Sequence, residues 1–268
     1  MLSFPNAKIN IGLYITEKRS DGFHNLESCF YPVGWSDVLE ILPAPKLSFK
    51  STGIAIPGNP ETNLCLKAYH LVSQDFKLSP VMIHLHKIVP IGAGLGGGSA
   101  DCAFTIKTLN DLFELNMSVE TMESYARQLG SDCAFFIQNK PKFCFGKGDK
   151  FEEIGLDLSS KFIVLVNPNI HISTAEAYSS VKPQRVKVDF KKALQTPVSQ
   201  WIDIIKNDFE THLLPKYPVI ENIKKTLYTY GAEYASMTGS GSTVFGIFSQ
   251  KIDLQEIFAD YTVWRGKL

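Results

Sequence analysis

The sequence predicts an α+β fold, and three observations carry that prediction. Helix-period and strand-period segments both occur along the chain, without the strict strand–helix alternation of a doubly wound sheet. The 268 residues suffice for one large domain or two modest ones. Apolar residues make up 44% and charged residues 20%, which excludes a disordered chain.

The elements follow in order. "PNAKINIGLYI" alternates, with Ala7, Ile9, Ile11, Leu13 and Ile15 on one strand face and Lys8, Asn10, Gly12 and Tyr14 on the other. "RSDGFHN" turns at Asp21-Gly22, and "LESCFYPV" and "DVLEILPA" read as further strands. "TNLCLKAYHLVSQDF" is a helix with Thr62 or Asn63 as its cap. "VMIHLHKIV" is a strand that leads into a glycine-rich segment. Beyond it, Cys102, Ile106, Leu109 and Phe113 recur at helical spacing, predicting a helix from about Ser99 to Phe113. A second helix, Val119 to Leu129, is capped by Ser118 and ended by Gly130. "CAFFI" and "KFCFG" read as a strand pair. Polar, glycine-containing "GDKFEEIGLDLSS" predicts a boundary, dividing the chain into 1–152 and 153–268. The second part holds a strand "KFIVLVNP", a helix near Thr174, a helix from Val219 to Tyr230, the segment "EYASMTGSGSTVFGIF", and a last helix around Leu254.

Composition narrows the function classes. Lys plus Arg and Asp plus Glu balance at 27 each, which gives no electrostatic reason to bind nucleic acid or an anionic membrane. The five cysteines are odd in number and form no CxxC pair, so neither a disulfide framework nor a zinc site is expected, and a reducing cytoplasm fits. "MLSFPNAK" lacks the apolar core of a signal peptide. His84 and His86 share a strand face but have no further ligand at suitable spacing, so they read as surface histidines.

The segment "KIVPIGAGLGGGSADCAFTI", Lys87 to Ile106, carries the chemistry. A glycine-rich turn that opens a helix lets a ligand touch the backbone and aims unpaired N–H groups at one point, which suits phosphate. A structural turn needs one or two glycines, and this one has five, at 92, 94, 96, 97 and 98. Gly92-x-Gly94-x-x-Gly97 formally matches a dinucleotide-binding pattern. Pro90 sits between the strand and the glycines, however, and no strand-ending acid follows about twenty residues on. A Walker A loop is excluded because no lysine follows the glycines.

Pro90-Ile91-Gly92-Ala93-Gly94-Leu95-Gly96-Gly97-Gly98-Ser99-Ala100 resembles the phosphate loop of the GHMP small-molecule kinases. "PNAKINIGLYITEKRSDGFHNLES" at 5–28 is similar to the N-terminal motif of the branch of that family that acts on 4-diphosphocytidyl-2-C-methyl-D-erythritol. "LGSDCAFF" at 129–136, "STAEAY" at 173–178 and "MTGSGSTVFGIF" at 237–248 resemble three further family segments, in family order. The resemblance implies a two-lobed GHMP kinase fold, with a ribosomal-protein-S5-like N-terminal lobe and a ferredoxin-like C-terminal lobe. It also implies ATP and Mg2+ as cofactors, and a small-molecule acceptor, CDP-methylerythritol, phosphorylated on its 2-hydroxyl in the non-mevalonate isoprenoid route. The expected protein is a cytoplasmic monomer or weak homodimer.

The resemblance also implies site residues. Asp132 would be the general base, Lys8 would stabilise charge and keep Asp132 ionised, and Asn10 would position the acceptor. Taken alone, Lys8 and Asn10 fit a solvated strand face equally well, and Asp132 fits a turn aspartate. The ATP phosphates would lie on the backbone of residues 92–100, after Pro90 and Ile91, with Ser99 as the candidate Mg2+ contact. Asn63, Lys87 and Asn110 match positions near the adenosine. Phe23 and Tyr178 would sandwich the cytosine, His24 would read its polar edge, and Thr238, Gly239, Ser240 and Gly241 would approach the acceptor's diphosphate. Two departures stand out: the loop reads GLGGGSA rather than GLGSSA, and Phe23 stands where this branch often has Tyr. The alternatives are a kinase of homoserine or mevalonate type, which the DGFH element opposes, and a non-catalytic ligand sensor, which the intact Lys8–Asp132 pair opposes.

Overall fold

A computed structural model describes residues 1–186 and 188–268. In chain order its elements are β1 (Leu2–Ser3), β2 (Asn6–Lys18), β3 (His24–Ser36), β4 (Val38–Pro43), β5 (Ser48–Gly53), α1 (Leu64–Asp75), β6 (Val81–Lys87), α2 (Gly97–Leu112), α3 (Val119–Leu129), α4 (Phe135–Gln138), β7 (Lys142–Phe145) and β8 (Lys150–Glu153). There follow β9 (Phe162–Asn167), α5 (Thr174–Ser179), α6 (Phe190–Ala193), α7 (Glu210–Lys216), α8 (Pro218–Thr229), β10 (Tyr234–Met237), β11 (Val244–Phe248) and β12 (Thr262–Lys267). The chain forms two compact units. The first comprises Met1–Ala7, Trp35–Ile91 and Gly96–Lys140; the second comprises Lys8–Gly34, Gly92–Leu95 and Pro141–Leu268.

The first unit is built on a four-stranded sheet of order β1-β4-β6-β5, in which β5 runs parallel to β6. Strand alternation turns Leu39 and Ile41 of β4 and Ile83 and Leu85 of β6 to one face. There they bury against Cys65, Leu66 and Tyr69 of α1 and Leu109 of α2. Each such aliphatic side chain, fully buried, contributes about 1.5–3 kcal/mol. Side-chain caps fix the flanking helices: Asn63 Oδ1 accepts the Cys65 N–H at 2.9 Å to start α1, and Ser118 accepts that of Thr121 at 3.2 Å to start α3.

The second unit contains the sheet β2-β3-β7-β8, apart from the ends of β2 and β3, and an antiparallel sheet of order β10-β11-β9-β12. Helix α8 packs on β10 and β11 through buried Ile220, Ile223 and Leu227. Strand β2 is buried from Lys8 through Leu13 on both faces. Lys8 and Asn10 therefore do not form the solvated strand face that alternation alone allows.

Three expectations are corrected. "CAFFI" is not a strand: Phe135–Gln138 is one helical turn, closed by Asn139 at φ +54°, because so short an apolar run does not fix its own period. "KFCFG" pairs instead with β3 and β8. The helix expected around Leu254 is a set of turns, tied by bonds from Phe258 N–H to Leu254 O at 3.1 Å and from Tyr261 N–H to Phe258 O at 2.9 Å. The boundary at 152/153 falls at the end of β8, yet the compact units follow another line, joining the β2-β3-β7-β8 sheet to the sheet of β9–β12. No helix among the described residues is long and apolar enough to cross a membrane.

Candidate active site

In the first unit the glycine segment opens α2. Gly96 takes the N-cap position at φ +70° and offers no side-chain cap, while its carbonyl accepts the Ala100 N–H at 2.9 Å. The first N–H groups of a helix have no acceptor within it, and the helix dipole adds partial positive charge at that end. A Cβ on Gly97 would stand 3.0 Å from Lys87 Nζ and 3.2 Å from Val89 Cγ1, tighter than ordinary contact, so a side chain there would press on the end of β6.

Lys87 itself is 3% exposed, and its ammonium donates to Asp37 Oδ2 at 2.5 Å and Asp101 Oδ2 at 2.7 Å. Asp37 Oδ1 also accepts the Ile88 and Val89 N–H groups, at 2.5 and 2.8 Å. Burial works against the charge of Lys87, but Asp101 and Asp37 override it and raise its pKa. Burial pushes the Asp101 carboxyl up to about 7 against the opposing pull of Lys87. The Asp101 Oδ1 atom is buried without a partner. Lys87 is therefore corrected from a nucleotide contact to a buried clasp under the loop.

Asp132 lies in the turn between α3 and α4 and is half-buried. Its neighbour Cys133 is fully buried, and its thiol pKa is lowered by hydrogen bonding to Cys102 first and to Ser99 next. The first turn of α2 and the Asp132 turn are thus brought together through Ser99 and Cys133. Asn63 is the cap of α1, with Oδ1 committed. Leu64 Cδ1 lies 4.0 Å from the position of a Gly98 Cβ, so the start of α1 borders the glycine segment. Asn110 does not: thirteen residues beyond Gly97, it is about 20 Å along the helix. Its side chain accepts the Met117 N–H at 2.8 Å and donates to Asp111 at 3.1 Å, so it fastens the α2–α3 connection and is corrected out of the nucleotide site.

In the second unit Lys8, 3% exposed, donates to Asn10 Oδ1 at 2.5 Å and to Gly94 O at 3.3 Å, and lies over the Phe30 ring at 4.7 Å. Asn10 Nδ2 donates to Ser28 Oγ at 2.9 Å, and its backbone N–H donates to Thr238 Oγ1 at 2.9 Å. Thr238 in turn donates to Gly94 O at 3.1 Å. Gly94 has φ +78°, and a Cβ there would fall on the Thr238 carbonyl oxygen. Strand β2, the segment 92–95 and the loop after β10 therefore converge.

The aromatic residues are arranged differently from the expectation. His24 and Tyr178 face each other, ring centroids 4.9 Å apart at 31°, whereas Phe23 is 56% exposed with Lys147 Nζ 5.0 Å from its ring centre. A base sandwiched between two rings needs about twice the 3.5–4.0 Å contact distance of carbon atoms. The face of Tyr178 toward His24 is thus already covered, while Phe23 stands at the turn tip. Burial, and to a lesser degree Lys18, lowers the His24 pKa, favouring the neutral ring.

Sequence reasoning missed Asp37, Asp101, Asn207 and Glu210. Asn207 and Glu210 sit in the polar segment "NDFE", where no spacing marks them; Asp37 is separated from Lys87 by fifty residues.

Comparison with known proteins identifies the family. Residues 63–140 match the family "GHMP kinases N terminal domain" and residues 191–262 match "GHMP kinases C terminal". A 4-diphosphocytidyl-2-C-methyl-D-erythritol kinase of Cytophaga hutchinsonii is 53% identical over 252 residues, covering 94% of this chain and 93% of the relative. One of Bacteroides fragilis is 50% identical over 271 residues, covering 98% and 99%. A crystal structure of 4-(cytidine 5'-diphospho)-2C-methyl-D-erythritol kinase superposes with a TM-score of 0.86 at 25% identity, covering 99% of this chain and 98% of that one. A Methanococcus jannaschii mevalonate kinase shares the fold, with a TM-score of 0.69 at 14% identity over 99% and 97%. The chain belongs to the GHMP kinases, and within them to the family of 4-diphosphocytidyl-2-C-methyl-D-erythritol kinases.

Proposed function

We propose that the chain transfers the γ-phosphoryl group of ATP to the 2-hydroxyl of 4-diphosphocytidyl-2-C-methyl-D-erythritol. The observation that carries this is identity of 53% to a kinase of that acceptor along 94% of the chain. Further support comes from the uncapped start of α2 and the convergence of Lys8, Asn10 and Thr238 around Gly94.

Phosphoryl transfer asks the protein for positioning and charge neutralisation rather than covalent chemistry. ATP supplies the phosphoryl group, and Mg2+ neutralises its oxygens when bound. The residues fit such a ligand: residues 96–99 present backbone N–H groups at a helix start, and Gly97 leaves room where a Cβ would press on Lys87. Residues 90–95 lead the chain into that turn. Mg2+ needs only one or two protein ligands beside phosphate oxygens, and Ser99 is offered as one. Asn63 keeps its Nδ2 for the adenosine. Asp132 takes the proton of the acceptor hydroxyl, Lys8 stabilises charge on the transferring group, and Asn10 holds the Lys8 ammonium in place. Cytosine rests against the His24–Tyr178 pair with Phe23 at its rim, and the Thr238–Gly241 loop meets the diphosphate. All five cysteines are free thiols, in keeping with a cytoplasmic enzyme, and the protein works as a monomer or weak homodimer.

The test is ADP release from ATP with CDP-methylerythritol, homoserine and mevalonate offered side by side. Turnover with the first alone is expected. A preference for either of the others overturns the acceptor assignment.

A further inference from the structure

The tetrapeptide "NDFE" at 207–210 lies outside every motif read from the sequence, yet each of its residues ties down a different part of the second unit. Asn207 is 2% exposed, and its amide nitrogen donates to Met237 O at 2.8 Å and Gly239 O at 2.9 Å, using both hydrogens. Its oxygen accepts the Phe209 N–H at 3.0 Å. Asp208 holds β2, donating its N–H to Leu13 O and accepting the Ile15 N–H, both at 2.8 Å. Phe209 meets the Tyr178 ring edge-on at 4.9 Å and 74°. Glu210 accepts the Met237 N–H at 2.7 Å and the Ser236 hydroxyl at 3.1 Å. Strand β2, the aromatic pair and the loop after β10 are thus referred to one short segment.

The geometry of the loop follows from the two carbonyls that Asn207 fixes. In a trans peptide the C=O and N–H point in opposite directions. With Met237 O held, the Thr238 N–H points the other way and donates to Thr243 O at 2.9 Å. With Gly239 O held, the Ser240 N–H likewise points away from Asn207. Among the described residues it has no acceptor, while the Gly241 N–H closes the turn on Thr238 O at 3.0 Å.

We propose that Asn207 is a positioning residue for acceptor binding, which fixes the 238–241 loop so that the Ser240 N–H is aimed at an anionic oxygen of the acceptor's diphosphate. This rests on the phosphoryl-transfer reaction proposed above. A buried amide with only a packing role would support the fold and leave acceptor affinity unchanged in the folded variant. A positioning role separates the two substrates.

The experiment compares wild type with Asn207→Ala and Asn207→Asp, the latter placing a carboxylate against two carbonyl oxygens. The expected result is a rise of about tenfold or more in the KM for CDP-methylerythritol, the usual effect of losing a buried hydrogen-bonding partner. The KM for ATP should stay within about twofold, as for any interaction confined to the other substrate. A lower melting temperature with an unchanged acceptor KM overturns the proposal. Should neither variant fold, the Ser240 amide resonance of wild type decides, with CDP as the probe: a shift at saturating CDP supports the assignment, and an unmoved resonance overturns it. Wild type without CDP-methylerythritol kinase activity is a different outcome, which removes the reaction and this role together.

Discussion

The segments 92–98 and 238–241 are both glycine-rich, yet the N–H donors proposed to meet anions are set up in them by different means. The first runs into a sixteen-residue helix, so its donors are the orphan N–H groups that every helix start possesses, reinforced by the dipole. The second joins two antiparallel strands and has no helix behind it. Its donor, the Ser240 N–H, is aimed by one side chain, Asn207, which grips the carbonyl of the same peptide. A helix start survives changes far along the chain. A clamped loop depends on a residue thirty positions away, as the separation of Asn207 from Met237 shows.

That contrast can be tested with variants, taken from the largest expected effect to the smallest. Asp132→Asn leaves both segments unaltered and should lower kcat by on the order of 10²–10⁴, the usual loss for a general base, with both KM values nearly unchanged. Lys8→Ala should act on the same step, so the double variant should lose less than the sum of the singles; additive losses in steady-state kinetics would separate the two roles. Gly97→Val presses a branched side chain on Lys87 and Val89 and should raise the KM for ATP about 10–100-fold, as overpacking does, while CDP binding by titration is retained. Loss of CDP binding in a folded Gly97→Val protein would mean that the two segments are not independent. Tyr178→Ala removes a ring from the acceptor side and should raise the acceptor KM about tenfold. Phe23→Ala, at an exposed turn tip, should do less.

The smallest effect concerns Asp101, on the second turn of the same helix. Its folded pKa of about 7 lies above the unfolded value of 3.8, so the folded state binds the extra proton between those limits and stability falls as pH rises through them. The groups facing it are Lys87, Asp37, Cys65 and Cys102. Asp101→Asn should therefore flatten the decline of melting temperature between about pH 4 and pH 7. An unchanged slope would assign the decline to other groups.

What was legible in the sequence is what is local. The alternation of β2, the Ser118 and Gly130 signals around α3, and the glycine run before α2 each lie within one element, so period and cap chemistry suffice. The burial of Lys8 and Asn10 was not legible, because alternation cannot tell a strand covered on both faces from one covered on one. The role of Lys87 was not legible either: its two carboxylates come from 50 residues before it and 14 after it. Asn110 illustrates the converse, since a plausible residue type at the far end of a helix is carried out of reach by the helix rise. The His24–Tyr178 pairing joins residues more than 150 positions apart, and only the folded second unit makes it visible.

The bond from Asn10 to Thr238 spans 228 residues, and it sets a schedule for synthesis. At about 5–20 residues per second, the strand that carries Lys8 and Asn10 leaves the ribosome roughly 10–50 s before the loop that completes its hydrogen bonding. Throughout that interval this strand, rich in isoleucine, can pair with β3 but waits for Lys206, Asp208 and Thr238, which complete its hydrogen bonding. The nascent chain is therefore most exposed to aggregation or chaperone capture at its beginning, and release from that state comes only with the last strands.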